Sequence, residues 1–376
     1  MSSTTNPATG RAFRHGLVIG KFYPPHAGHD HLIRAALRQC GRVTVVACAS
    51  AGESIPLDLR VEWLRAAHPS ARIAGAIDDH PIDYGDPAVW ELHCAVFRHA
   101  LDGEAVDAVF SSEAYGSELA RRFGATAVSV DPDRGAVPVS GTAVRADPVT
   151  HWHHLGPGPR SWLVRRIVVV GAESTGTTTL SRDLAVHYRA RGGVWAGTRW
   201  VPEYGRALTL RNLAELQAAD PRKTIYDIAW TAGHFAECAR EQDAGEEAAA
   251  RSGSPILICD TDSLATAIWE ERYLGSVSPP VAAAAAARRP ALYLLTGHEG
   301  VPFEDDGIRD GEHLRPWMTG RFRAELAARP VPHLELSGGR AERLARAVEA
   351  CDAVLAAGWR LADPLRPRDP ESLRGR

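Results

Sequence analysis

The sequence predicts an α/β protein built as two doubly wound parallel-sheet domains. Three observations predict it. The 376 residues exceed one ordinary core and suit two domains of roughly 150–200 residues. Short apolar runs alternate with stretches of helical periodicity, the order of a parallel βαβ sheet. Residues 146–164 interrupt that alternation once, with Pro148, Gly156, Pro157, Gly158 and Pro159, after which it resumes.

Residues 15–20 form an apolar run that ends at Gly20, a buried strand feeding a turn. Residues 31–39 carry Leu32, Ile33, Ala36 and Leu37 on one helical face, and 43–47 form the next strand. Residues 56–67 and 87–101 read as helices and 106–110 as a strand. In the second half, 167–170 is a strand and 177–191 a helix. Residues 194–198 are a weaker strand and 225–243 a long helix. Strands at 255–259, 291–295 and 332–336 follow, and an amphipathic helix at 340–355 closes the domain. The expected organisation is a disordered start (1–12), a first domain (13–150), a linker (151–164), a second domain (165–362) and a disordered tail (363–376).

Forty-five per cent apolar and 24% charged residues is ordinary soluble composition, and a net charge of −3 gives no reason to expect nucleic-acid binding. The six cysteines form no C-x-x-C pair, so reduced thiols and a cytoplasmic location are expected. No apolar run approaches membrane-spanning length. His151, His153 and His154 cluster around Trp152. One short tract without distant partners reads as packing and polar surface rather than as a metal site. Lys21 and Lys223 are the only lysines among 43 basic residues, a bias in which a retained lysine marks a position arginine cannot fill.

Two stretches carry chemistry. The first is Gly20-Lys21-Phe22-Tyr23-Pro24-Pro25-His26-Ala27-Gly28-His29, between a strand and a helix. Gly28 permits close backbone approach, the helix amino end favours anions, and the two imidazoles flank one turn. The second is Gly171-Ala172-Glu173-Ser174-Thr175-Gly176-Thr177-Thr178-Thr179, a Walker A loop in which Thr177 stands where the lysine belongs. Its backbone N–H groups would cradle phosphate. A hydroxyl cannot supply the lost charge, at a cost of about 1.5–3 kcal/mol unless another cation compensates.

The first stretch resembles the H-x-G-H motif of the nucleotidylyltransferase superfamily. That family's I-S-x-T-x-x-R motif is matched by Val139-Ser140-Gly141-Thr142-Ala143-Val144-Arg145. Residues 58–64, 109–113 and 130–134 resemble the nicotinamide mononucleotide adenylyltransferases of the NadR type. The loop after Val170, with Val201-Pro202-Glu203-Tyr204-Gly205-Arg206, Cys259-Asp260-Thr261-Asp262 and residues 304–309, resembles the ribosylnicotinamide kinase domain of the same family.

The resemblance implies a nucleotidylyltransferase Rossmann-like domain followed by a P-loop kinase domain, with ATP and Mg2+ as cofactors. It implies that His26 and His29 face the triphosphate and transition state, with Lys21 bridging ATP and acceptor phosphates. Gly20, Phe22, Gly28, Ser140, Thr142 and Arg145 would complete the nucleotide site. Trp63 and Trp90 are candidates for ring stacking, beside a role in core packing. In the kinase domain Thr178 and Asp260 would hold magnesium. Asp262 or Glu203 would accept the riboside hydroxyl proton, and Tyr204 would contact substrate. Arg309 and Arg315 would lie in a closing segment, and Arg182, Lys223 or a lid arginine would offset Thr177.

The implied activity is NAD salvage: phosphorylation of nicotinamide riboside, then adenylylation of the mononucleotide. Small molecules are the expected partners, namely nicotinamide riboside, its mononucleotide, ATP and NAD. Oligomeric state is left open. Competing expectations are adenylylation of another phosphorylated acceptor, a nucleotide-sensing kinase domain, and an NAD-responsive regulator. A first strand near His15 leaves no room for an amino-terminal helix-turn-helix, so operator binding is not expected.

Overall fold

The structure is a computed structural model and describes residues 11–366. The chain divides into two compact units. One comprises the chain up to Pro159 together with the stretch from Trp359 onward, and the other is Arg160–Gly358.

The first unit runs β1 (Phe13–Gly20), α1 (Ala27–Gln39), β2 (Cys40–Ala49), α2 (Leu57–Ala67), β3 (Arg72–Ile77), α3 (Pro87–Ala100), β4 (Ala108–Ser111), α4 (Gly116–Phe123), β5 (Thr126–Ser129) and α5 (Gly141–Ala146). Its strands form a parallel sheet of order β3-β2-β1-β4-β5. Alternate residues of β1 feed opposite faces. Val18 packs with Ile33, Val45 and Phe110, while Leu17 and Ile19 pack with Val46, Trp90 and Val109. A central strand buried on both faces explains why its run is continuously apolar.

Helix α6 (Pro157–Leu163) contains the division between the units. The second unit follows as β6 (Arg165–Gly171), α7 (Thr177–Ala190), β7 (Arg199–Val201), α8 (Tyr204–Ala219), α9 (Ala232–Ser252), β8 (Ile256–Asp260), α10 (Ser263–Leu274), α11 (Pro279–Ala287), β9 (Leu292–Thr296), α12 (Arg315–Ala327), β10 (His333–Leu336) and α13 (Arg340–Ala356). Its parallel order is β10-β9-β6-β8-β7, with β6 at the centre. Both sheets thus place their first strand centrally, and the chain reverses direction across the sheet beside it. That switch point is where ligands bind in such folds.

Three expectations differ from the structure. Residues 194–198 are not a strand. Gly192 and Gly193 both take positive φ, and the chain closes a tight turn through Trp195 before β7 begins at Arg199. The helix expected over 225–243 is split by Trp230 and begins only at Ala232, capped by Thr231. The last described residues, 359–366, group with the first unit although the second domain was expected to reach residue 362. Of the expected tail, 363–366 belong to that packed stretch. Residues 1–10 and 367–376, which hold the rest of the expected disordered ends, lie outside the described residues. Among the described residues no helix is long and apolar enough to cross a membrane.

Candidate functional sites

In the first unit the chain leaves β1 at Gly20 and enters α1 with His26 as the capping residue, its Nδ1 accepting from the Gly28 N–H at 3.2 Å. That bond turns the His26 ring onto His29, with ring centroids 3.8 Å apart, and Phe22 covers His29 from the other side at 4.7 Å. Phe22 holds φ at 46° to do so. Nδ1 of His29 is buried without a hydrogen-bond partner, a polar atom that an incoming ligand would satisfy. Burial, reinforced by Arg134, holds the His26 imidazole down at about 4. Burial and the adjacent His26 depress His29 further. Both rings are therefore neutral near pH 7 until an anion arrives to favour their charged forms.

The second signature docks against the same turn. Ser140 caps α5, its Oγ accepting from Ala143 N–H at 3.1 Å. Arg145 donates to the Tyr23 carbonyl at 2.6 Å and to Thr142 Oγ1 at 3.2 Å, with its guanidinium over the Tyr23 ring. A Cβ at Gly141 would lie 3.2 Å from the Arg145 guanidinium and 3.3 Å from the Tyr23 carbonyl, so glycine eases the close approach of the two signatures. A small cavity of about 80 Å³ opens here, lined by His26, His29, Glu113, Arg134, Ser140 and Gly141.

Gly20 and Lys21 line a second cavity of about 130 Å³, walled by Tyr84, Trp90, Tyr115 and His93. Trp90 is held by its indole N–H on the Tyr84 carbonyl at 3.1 Å and presents apolar surface there. Trp63 does not reach any described cavity. It is 8% exposed, and the backbone of Gly158 presses on its indole so closely that a Cβ there would fall 2.2 Å from the ring. Its expected stacking role gives way to packing. Beneath Lys21, the fully buried Arg60 pairs with Glu53 at 2.5 Å, bonds the Lys21 carbonyl and stacks on Tyr23. The carboxyl-terminal stretch closes this cavity. Lys21 Nζ donates to the Leu365 carbonyl at 2.5 Å, Tyr23 donates to the Ala362 carbonyl at 3.0 Å, and Leu365 lines the wall. Burial pulls the Lys21 amine below its usual range.

The second unit builds a larger cavity of about 310 Å³ where β6 hands over to α7. Gly171 cannot carry a side chain, because a Cβ would lie 2.2 Å from Thr296 Oγ1. Ser174 (φ 56°) and Gly176 (φ 88°) turn the loop, and Gly176 caps α7. Thr175 is part of the loop's support: its hydroxyl bonds the Ala172 carbonyl and Thr296, both at 2.7 Å, and its carbonyl accepts from Arg343 at 2.8 Å. Glu173, Ser174, Gly176, Thr177, Thr178 and Thr179 line the cavity. Asp260 ends β8 beside the Thr177 and Thr178 hydroxyls; burial raises its carboxyl, and those hydrogen bonds oppose the rise. A buried carboxylate next to a hydroxyl in the first turn of α7 is an oxygen donor set suited to Mg2+. Burial, with Asp260 and Glu173 nearby, also raises Glu203, which lines the cavity. Burial raises Glu173 to about 7 although Arg272 lies 3.4 Å away.

Two expected residues fall outside this constellation. Asp262 is fully buried as the cap of α10, accepting from Leu264 and Ala265 N–H and from the Tyr293 hydroxyl at 2.7 Å, and it does not line the cavity. Its carboxylate is spent on the fold. Tyr204 donates to Glu237 at 2.8 Å and likewise stands outside the lining. Of the cations suggested to offset Thr177, Lys223 pairs with Asp227 and Arg182 stacks on Trp200, whereas Arg309 lines the cavity. Arg315 braces the loop by donating to the carbonyls of Ser174, His298 and Val301. Sequence reasoning missed Arg206, which lines the cavity and bonds Asp306 at 2.8 Å. It also missed an aromatic wall of Trp230, Phe235, Trp269 and Tyr273. The signal for Arg206 was its place three residues after Glu203. The wall, drawn from two distant helices and a loop, left none.

Residues 166–343 match the family described as AAA domain. The chain is 24% identical over 314 residues to the trifunctional NAD biosynthesis/regulator protein NadR of Escherichia coli (strain K12), covering 78% of this chain and 71% of that one. It is 23% identical over 312 residues to the NadR of Salmonella typhimurium, with the same coverage. A crystal structure of NadR protein in complex with NR superposes with a TM-score of 0.69 at 21% identity, covering 93% of this chain and 98% of that one. One of NadR protein in complex with NAD and AMP-PNP gives a TM-score of 0.66 at the same identity and coverage.

The chain is similar to the NadR proteins along most of its length. Its two units carry, in order, the two phosphate-handling loops by which the sequence resembles that family, and both units share the fold of the NadR structures.

Two expectations arise from the first unit. His26 has a folded pKa of about 4 against an ordinary 6.5, so between those values the unfolded chain binds more protons. The stabilisation from keeping this ring neutral is intact above pH 6.5. It is lost as pH falls toward 4, by on the order of 3 kcal/mol. An NMR titration of the ligand-free protein should show a His26 midpoint near 4, and a midpoint at 6–7 would contradict the buried, cation-flanked ring. The second expectation uses the presence of only two lysines. Amine acylation read by peptide mass spectrometry should modify Lys223, 42% exposed, much faster than Lys21. Ending the chain at Gly358 should accelerate Lys21 alone. Equal Lys21 rates with and without residues 359–376 would show that the Leu365 contact does not shield it.

Proposed function

We propose that this protein makes NAD in two steps, the second unit phosphorylating nicotinamide riboside and the first joining the mononucleotide to AMP from ATP. The observation that carries the reading is the paired imidazoles of His26 and His29, with an orphan ring nitrogen, at the amino end of α1 beside Arg145 and Lys21. Among the described residues no hydroxyl or thiol is hydrogen-bonded to His26 or His29, which favours direct transfer. The acceptor phosphate attacks the α-phosphorus of ATP, the bond to the bridging oxygen breaks, and pyrophosphate leaves. His26, His29 and Arg145 hold the triphosphate and stabilise its developing charge. Lys21 meets the acceptor phosphate from the cavity walled by Tyr84, Trp90 and Tyr115, whose apolar surface suits a pyridine ring.

In the second unit, N–H groups of residues 173–178 cradle the ATP phosphates. Mg2+, held by Thr178 and Asp260, would neutralise phosphate charge. Burial raises the Glu203 carboxyl, and cations entering with ATP would favour its carboxylate, which would then orient the riboside hydroxyl and accept its proton. The riboside base lies against Trp230, Trp269 and Tyr273. Arg206 and Arg309 stand in for the absent lysine, since they are the arginines lining the cavity.

Pure protein incubated with ATP, magnesium and either riboside or mononucleotide, with products resolved by chromatography, tests both steps. His29→Ala should lower NAD formation from the mononucleotide by about 100-fold or more, with riboside phosphorylation unchanged. Near wild-type turnover would remove His29 from the reaction. For the kinase, Arg206→Ala should lower kcat/KM for riboside by about 10- to 150-fold, the worth of one charge-assisted contact. Thr177→Lys should leave the rate flat or reduced, because a third cation crowds the same phosphates. An inactive wild type rescued by Thr177→Lys would instead mark the second unit as a nucleotide sensor.

A further inference from the structure

We propose that Asp78, His80 and His93 bind a first-row divalent transition ion of the zinc class at the wall of the smaller apolar cavity. One ligand atom from each lies within 4.8 Å of the others. Asp78 Oδ1 is 2.8 Å from His80 Nδ1, and its Oδ2 is 2.5 Å from His93 Nδ1. Cys48 Sγ stands 4.0 Å from the same Oδ2, a soft donor at the back of the group.

The group is held from β2, β3 and α3, with His80 on the loop two residues beyond Asp78. Cys48 is near the end of β2. Asp78 directly follows β3, where its N–H donates to the Ala49 carbonyl at 2.8 Å. His93 projects from the middle of α3. A site assembled on strand ends and a helix is held more firmly than one on loops. His93 also has the outer partner that metal-binding imidazoles use. Its Nε2 lies 3.1 Å from the Pro81 carbonyl, which keeps the proton on that nitrogen and leaves Nδ1 to face an ion. Both imidazoles aim Nδ1 at one carboxylate, a place that either N–H hydrogens or a metal ion can fill.

The donor set selects the ion. Two imidazoles, one carboxylate and a nearby sulfur suit zinc and its neighbours and disfavour Mg2+ or Ca2+, which take oxygen donors. The cavity of about 130 Å³ leaves room for water in the remaining position. Without an ion the group satisfies itself as a carboxylate between two imidazole N–H donors. Burial would raise Asp78, but hydrogen bonds from His93 and His80 outweigh it. Loading the site displaces a proton from His93 to solvent, and no electron moves.

A rival lies in the same unit. His153 and His154 have ring centroids 3.9 Å apart, with His151 6.2 Å from His154. The test therefore uses Zn2+ titrated into the full chain against a chromophoric chelator, without nucleotide. One ion per chain should bind, with Kd on the order of micromolar or tighter. Asp78→Asn and His93→Ala should each weaken binding about 100-fold. His80→Ala, at a side chain 39% exposed, should do the same without disturbing the core, which keeps the test sound if a buried variant fails to fold. Doubling His153→Ala with His154→Ala should leave the titration unchanged. Zinc binding that survives His80→Ala but is lost with the His153 and His154 pair, or no zinc bound to the wild type, overturns the proposal.

Discussion

Both units depend on one constraint: a parallel strand buried on both faces must pass its chain to a helix within about half a dozen residues without leaving backbone groups unpaired. β1 and β6 each lie at the centre of their sheet, with residues such as Val18 and Val169 inaccessible. Neither can end in a solvent loop. In the first unit the turn is braced from outside by side chains, with Arg145 on the Tyr23 carbonyl and Arg60 on the Lys21 carbonyl. In the second it is braced by Arg343 and Arg315 on the carbonyls of Thr175 and Ser174. In each case arginines take carbonyls of the turn. An anion-binding surface is what remains when the acceptors of a tight turn are satisfied and its donors are not.

The two sites then diverge in how they meet charge. The first keeps neutral imidazoles in a dry setting, so its positive charge can grow as phosphate arrives. The second is acidic before any ligand enters. Glu173, Glu203, Asp260, Glu304 and Asp310 line it against Arg206 and Arg309. Burial favours the neutral forms of Glu173, Glu203 and Asp260, and cations entering with the triphosphate would favour their charged forms. A lysine there would have been one cation among several that are required. That lessens the penalty of Thr177, whose hydroxyl stands close enough to Asp260 to favour its carboxylate.

What was legible in the sequence follows from which interactions are local. The long apolar runs of β1, β6 and β8 were readable because burial on both faces leaves no alternation to misread. His26, His29, Ser140, Arg145 and the loop from Gly171 were singled out by motif spacing alone, which did not show that Arg145 meets the Tyr23 carbonyl or that Thr175 meets Thr296 and Arg343. β3 and β5 were missed: their burial is partial, and Gly75 and Ser129 dilute the apolar signal. Asp262 was chosen for standing two residues beyond a strand end. Its actual partners, Tyr293 and the α10 amino end, come from the neighbouring strand and the following helix. For Trp63 the helical pattern favoured packing over ring stacking, but nothing nearby in sequence reveals that Gly158 is what lies against it. Wherever a role depends on a partner a hundred residues away, one sequence cannot state it.

The chain's return to its first unit has a consequence for how that unit is completed. Ala362 and Leu365 supply carbonyls to Tyr23 and Lys21, and the Ala362 N–H donates to Ser54 at 2.8 Å. The first unit is therefore discontinuous in sequence, with the whole of Arg160–Gly358 inserted between its body and its last strap. Its core clusters lie within the first segment, so the sheet can form as soon as that segment is made. The strap can dock only after the second unit exists. These hydrogen bonds, each worth about 1 kcal/mol net, are individually weak enough to release. Lys21 has two further donors, so phosphate can reach its amine either beside the Leu365 carbonyl or in its place. The residue that the sequence singled out as irreplaceable is thus also the one through which the far end of the chain touches the cavity.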